Sequence, residues 1–185
     1  MNLYLMFKNI RAKIPRDPYL GVYVLTIVPK RRKRKARAVD DIKRGVALFM
    51  VFLGLSLVVH ETFHLVVARV LGYEAEIFYG IDFPNVYGVV HITPSSLGAI
   101  DTILIFSAGG LGAGAVFYIL WFAIEDIVAK LMLSFFTLMQ VAYGILEPMY
   151  GLGLLQKAWL STIPIVVGMV TLIIFRIIYW RLGWW

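Results

Sequence analysis

Four runs of apolar residues, near 46–71, 100–124, 128–147 and 160–182, constrain this chain more than any other feature. Each approaches or exceeds the roughly 20 mostly apolar residues that a helix needs to cross a bilayer. A backbone in hydrocarbon must satisfy its own polar groups, and a helix does so within one segment. Apolar residues make up 61% of the 185-residue chain, against about 45–50% in ordinary globular proteins. That excess collects in the four runs. The expected fold class is an α-helical integral membrane protein with about four transmembrane helices.

The net charge of +7 comes mostly from one cluster, "PKRRKRKAR" at 29–37, reinforced by Lys43 and Arg44. Such a block can bind nucleic acid. Beside an apolar span it more often marks a cytoplasmic flank that touches anionic lipid headgroups. The second reading is preferred, with no nucleic-acid partner. The apolar stretch "YLGVYVLTIV" at 19–28 is short and no small-residue cleavage site follows it, so a signal peptide is not expected. Residues 1–45 read as a basic cytoplasmic or interfacial arm, with a short strand suggested at 19–28. The charge pattern expects a multi-pass protein of the cell membrane with a cytoplasmic N-terminus. Arg176 and Arg181 agree, because an even number of spans returns the chain to its starting side.

The segment after the first run, "YEAEIFYGIDFPNVYGVVHITPSS", is rich in β-branched and aromatic residues and is punctuated by Gly80, Pro84-Asn85 and Gly88. It predicts two or three short strands forming a small membrane-associated sheet between the first two spans. The connection at 125–127 is short enough to make the second and third spans an antiparallel hairpin. Within the second span, "SAGGLGAG" holds Gly109, Gly110, Gly112 and Gly114. Small residues let helix backbones approach closely. They fit a tight interface, a thin wall beside a buried site, or a local break in the helix.

Inside the first run lies "LVVHETFHLVVARVLG", with His60, Glu61 and His64 among oily neighbours. Residues four apart share one helical face, so both imidazoles point the same way. HExxH on a helix is the zinc-protease pattern, with two metal ligands and a glutamate placed to act as general base on a water. Ionisable groups at membrane depth point to function. The chain has no cysteine, which excludes thiolate ligands and disulfides. A third ligand must come from elsewhere, and Asp82, His91, Asp101, Glu125, Asp126 and Glu147 are the later candidates. Asp101, Glu125 and Asp126 fall at span ends, where capping or water explains them. Asp82 and His91 fall in the strand segment. Glu147 ends an apolar run and precedes Pro148 and Gly151, which are expected to break the helix and turn the carboxylate inward.

With these residues the chain resembles the site-2 protease family of intramembrane zinc metalloproteases. The likeness covers about 46–155. "HETFH" matches the HExxH of the family's first core helix, and "LVVARVLGYEAE" continues it in the same flavour. "SAGGLGAG" is similar to the small-residue stretch of the second. The third family helix carries an aspartate in an LDG motif; this chain has no LDG, and "GILEPMYG" offers Glu147 instead. Gln140 is the stand-in this chain offers for an asparagine of that motif. The resemblance implies a three-helix metalloprotease core at 46–155 with a strand insertion at 73–93, and an additional transmembrane helix at 156–185. It further implies one Zn²⁺ per chain held by His60, His64 and Glu147, with Glu61 catalytic. The implied substrate is a transmembrane protein whose unwound segment pairs with an edge strand of the insertion. It also places the metal toward the cytosol. The basic flank argues for the opposite face, because His64 lies only about 12 Å along the helix from Gly72.

Two other readings stay open: a membrane-anchored zinc peptidase acting on juxtamembrane peptides, and a non-catalytic metal-binding or transport protein. Transport predicts polar residues repeated along several spans, and the stretch "IPIVVGMVTLIIFRIIYW" of the last run offers only Thr171 and Arg176.

Overall fold

The computed structural model describes residues 32–82, 85–94 and 96–182, with side chains from 39 onward except 81–86. The element order is α1 (Arg32–Val70), β1 (Glu74–Asp82), β2 (Asn85–Thr93), α2 (Ala99–Ala123), α3 (Ile127–Gly151) and α4 (Lys157–Arg181). Four helices are long and apolar enough to cross a membrane: Val39–Val70 within α1, and the whole of α2, α3 and α4. The suggested strand at 19–28 and the start of the basic cluster lie outside the described residues.

Helix α1 begins at Arg32, inside the basic cluster and not at residue 46. Lysine and arginine are good helix formers, and no glycine or proline interrupts the sequence between Arg32 and Arg44. The helix ends in a Schellman motif. Gly72 adopts φ 89°, its N–H donates to the Arg69 carbonyl, and the Tyr73 N–H donates to that of Ala68, both at 3.0 Å. Glycine enters this left-handed region without a Cβ penalty.

The two strands form one antiparallel hairpin, in register from Glu74 opposite Thr93 to Asp82 opposite Asn85. Alternation assigns its faces. Ala75, Val90 and Ile92 pack with Ala68 of α1 and Ile105 of α2. The opposite face carries Glu76, Phe78 and His91, with the Phe78 and His91 rings 5.0 Å apart.

Helices α2 and α3 are joined by three residues, 124–126, and run antiparallel as expected. The contacts show it: Gly151 lies against Thr102 and Phe106, Gly144 against Gly110, and Val141 against Gly114, while Phe136 stacks on Phe117. Gly110 and Gly144 bring the two backbones together, where a methyl group on either would strike main-chain atoms of the other helix. α2 is continuous through "SAGGLGAG", so the stretch is an interface and not a break. α3 is the most enclosed of the four. On its other side Gly168 of α4 receives the Phe135 ring.

Pro148 does not break α3, which continues to Gly151. A proline so close to the end deletes only the bond to the Gly144 carbonyl. The Leu152 N–H still donates to the Pro148 carbonyl at 2.9 Å. Glu147 thus takes its inward aim from helical phase, four residues after the half-buried Tyr143 and three after the buried Gly144.

Asp126 caps α3. Its carboxylate accepts from the Ala129 N–H at 3.0 Å and pairs with Arg44 at 2.6 Å. These contacts, the backbone donor first, hold its carboxyl below the usual aspartate range. Asp126→Ala is expected to lower stability by about 1 kcal/mol through the lost cap. The ion pair adds little, since its side chains are 57% and 36% exposed. Because the folded-state value is depressed, the contribution is complete above the ordinary aspartate value. It disappears as pH falls through the lower value in the folded protein. Thermal unfolding in detergent should therefore show a gap between wild type and variant that closes on strong acidification.

Candidate metal centre

The centre starts from one stripe of α1. Phe52, Ser56, His60, His64 and Ala68 recur every four residues and are all buried, as one helical face requires. Phe52 belongs to an aromatic cluster with Phe117, Phe135 and Phe136, and Ala68 to the cluster beneath the hairpin. The two histidines fall between these clusters, where apolar packing on either side restricts water.

α2 supplies a slot for His64. A Cβ on Gly109 would overlap the His64 ring at Nε2, Cε1 and Cδ2, so the imidazole lies against bare backbone. Its Nδ1 is 2.6 Å from the Ile105 carbonyl. A carbonyl can only accept, which puts the proton on Nδ1 and leaves a lone pair on Nε2. His60 is held in the same way from α3: its Nδ1 donates to Gln140 Oε1 at 2.8 Å. The Gln140 amide nitrogen donates in turn to Ser56 Oγ.

Both free Nε2 atoms then face each other at 3.0 Å. Glu147 closes the triangle, with Oε1 3.2 Å from His60 Nε2 and Oε2 3.4 Å from His64 Nε2. Glu147 Oε2 is buried with no hydrogen-bond donor among the described residues. Two lone pairs and a carboxylate crowded together in an apolar interior call for a cation among them. His60, His64 and Glu147 are a group that could hold a metal ion.

Glu61 stands beside this triangle. It is buried, lies within electrostatic range of both histidines and Glu147, and makes no hydrogen bond to any described residue. Gly88 of β2 sits on it so closely that a Cβ there would overlap Glu61 Cγ. Tyr79, opposite Gly88 in the register, lies near both Glu61 and Thr62. Burial first, and the Glu61 charge second, push the Tyr79 phenol above its usual range. It therefore remains a donor at neutral pH.

Of the six candidate third ligands, Glu147 joins the histidines. Asp101 accepts from the Tyr73 hydroxyl, Asp126 caps α3, Glu125 is exposed, and His91 is on the outer face of the hairpin. The Asp82 side chain lies outside the described residues. Gln140 orients a histidine, a role the sequence did not disclose. Ser56 and the Ile105 carbonyl were missed; the only signal for Ser56 was its place one turn before His60. Tyr143, whose ring centroid is 5.9 Å from that of His60, was missed as well. No protein-family model matches the chain, and neither a curated protein nor a solved structure does.

Proposed function

We propose that this chain is an intramembrane zinc metalloprotease that hydrolyses peptide bonds in or near transmembrane segments of other proteins. The observation that carries this reading is the convergence of His60, His64 and Glu147, with the unpaired Glu61 carboxylate beside them, inside helices apolar enough to span a membrane. Their separations of 3.0, 3.2 and 3.4 Å approach the edge of about 3.3–3.4 Å that tetrahedral ligands make around zinc at 2.0–2.1 Å. Two imidazoles and one carboxylate form a donor set used by catalytic zinc, which leaves a position open.

When bound, zinc supplies a Lewis acid for the scissile carbonyl and lowers the pKa of a water. The chain does the rest. Glu61 accepts a proton as the water oxygen bonds to the carbonyl carbon, and returns it to the amide nitrogen as the C–N bond breaks. Gly88 leaves room for that carboxylate. Among the described residues each hairpin strand pairs only with the other, which leaves an edge against which an unwound substrate segment can pair. The basic cluster at 29–37 would bind anionic headgroups at one membrane face.

The test is cleavage of a single-span protein in proteoliposomes, with metal content measured in parallel. One zinc per chain is expected. Cleavage should stop with 1,10-phenanthroline and return on adding zinc. Absence of bound metal, or cleavage indifferent to the chelator, removes the reading.

A further inference from the structure

We propose that Gln140, braced by Ser56, is a positioning residue that sets metal affinity by holding His60 in the one rotation and tautomer that aim Nε2 at His64 and Glu147. The assignment rests on reading the cluster as a metal centre, and it concerns how tightly the metal is held.

A histidine can bind through either nitrogen, and its ring rotates about two side-chain torsions. Each orienting contact removes one of those freedoms. His64 receives its contact from main chain, the Ile105 carbonyl at 2.6 Å, which no substitution at that position removes. His60 has only a side chain, Gln140 at 2.8 Å, so its orientation depends on a replaceable group. Gln140 is itself buried and would be mobile but for Ser56, which accepts from its amide nitrogen. Ser56 stands one turn before His60 on the same stripe of α1. The Gln140 side chain thus bridges from α3 to two successive residues of the α1 stripe. Glu147 is seven residues, about two turns, after Gln140 on α3. One helix therefore supplies a ligand and the group that orients the opposing ligand, and a shift of α3 displaces both together.

Outer partners of ligating histidines typically govern metal affinity by about 10- to 100-fold. The test uses the purified full chain in detergent, zinc affinity by competition with a chromophoric chelator, and the visible spectrum of the cobalt(II)-loaded protein. Gln140→Leu keeps the volume and removes the acceptor. It should weaken zinc about 10- to 100-fold and alter the cobalt spectrum. Gln140→Glu keeps an acceptor for Nδ1 and lets Ser56 donate to it, so affinity and spectrum should be restored. Ser56→Ala should give a smaller loss, and it decides the matter if Gln140→Leu does not fold. Wild-type affinity and spectrum in Gln140→Leu, or in Ser56→Ala where that variant decides, overturn the positioning role while leaving the metal centre standing. Failure of Gln140→Glu to restore affinity to a folded protein also overturns it. A wild-type chain that binds no zinc removes the metal reading itself.

Discussion

Glu61→Gln is expected to lower the rate of substrate cleavage by about 10²- to 10⁴-fold, the range that a positioned general base contributes, while zinc content stays at one per chain. The two halves of that result come from two different parts of the geometry. The group that could hold the metal is His60, His64 and Glu147, and Glu61 is not part of it. Glutamine has the same shape, so it fills the space under Gly88 as the glutamate does. What it lacks is a basic oxygen to take the proton from water. The Glu61 carboxylate has no hydrogen-bond partner among the described residues, so its replacement deprives no described donor of its acceptor and should not loosen the fold. Cleavage in reconstituted vesicles and zinc by atomic emission, on the same preparation, decide the matter. Unchanged turnover would show that Glu61 is not the base. Loss of zinc would show that it holds the metal, and the division of roles would have to be redrawn.

The residue pattern carried the four helices, because the length of an apolar run needs no tertiary knowledge. It also carried the pairing of His60 with His64, which depends only on helical phase. Helix ends were less legible. Hydropathy cannot see that the basic residues after Arg32 continue α1, and proline rules taken alone overstated what Pro148 does so near a terminus. The inward aim of Glu147 was anticipated for the wrong reason: phase along α3 supplies it, and the helix does not break. The strands were legible from β-branched and aromatic residues punctuated by Gly80, Pro84-Asn85 and Gly88, but not their placement over Glu61, which requires knowing that Gly88 and Tyr79 fall on the inner face. The role of Gln140 was hidden because its partners are 80 and 84 residues away. Long-range polar pairs of this kind leave no periodic trace.

Gly109→Ala is expected to weaken zinc binding about 10- to 100-fold, and to remove most cleavage at limiting zinc. The glycine stretch of α2 serves two neighbours. Gly110 and Gly114 face α3, whereas Gly109 and Gly112 face His64 and Phe63 of α1. A methyl group at 109 meets the Nε2, Cε1 and Cδ2 atoms of the His64 ring. That ring cannot simply swing away, because its Nδ1 is tied to the Ile105 carbonyl and the Phe106 ring lies 6.2 Å from it, centroid to centroid. Either the ring leaves the ligand triangle or α1 and α2 move apart. Overpacking of this size costs about 1–3 kcal/mol, which spans roughly 5- to 150-fold when it falls on the ligand-competent geometry and so brackets the expected loss. Gly114→Ala is the control. Its Cβ would meet a terminal methyl of Val141 at 2.9 Å and main-chain atoms no nearer than 3.4 Å, so a rotamer change can relieve it. Zinc affinity should then stay within a few-fold of wild type. If the two alanine variants weaken zinc equally, the α2 glycines act through general helix packing, and the slot for the His64 ring has no separate role in holding the metal.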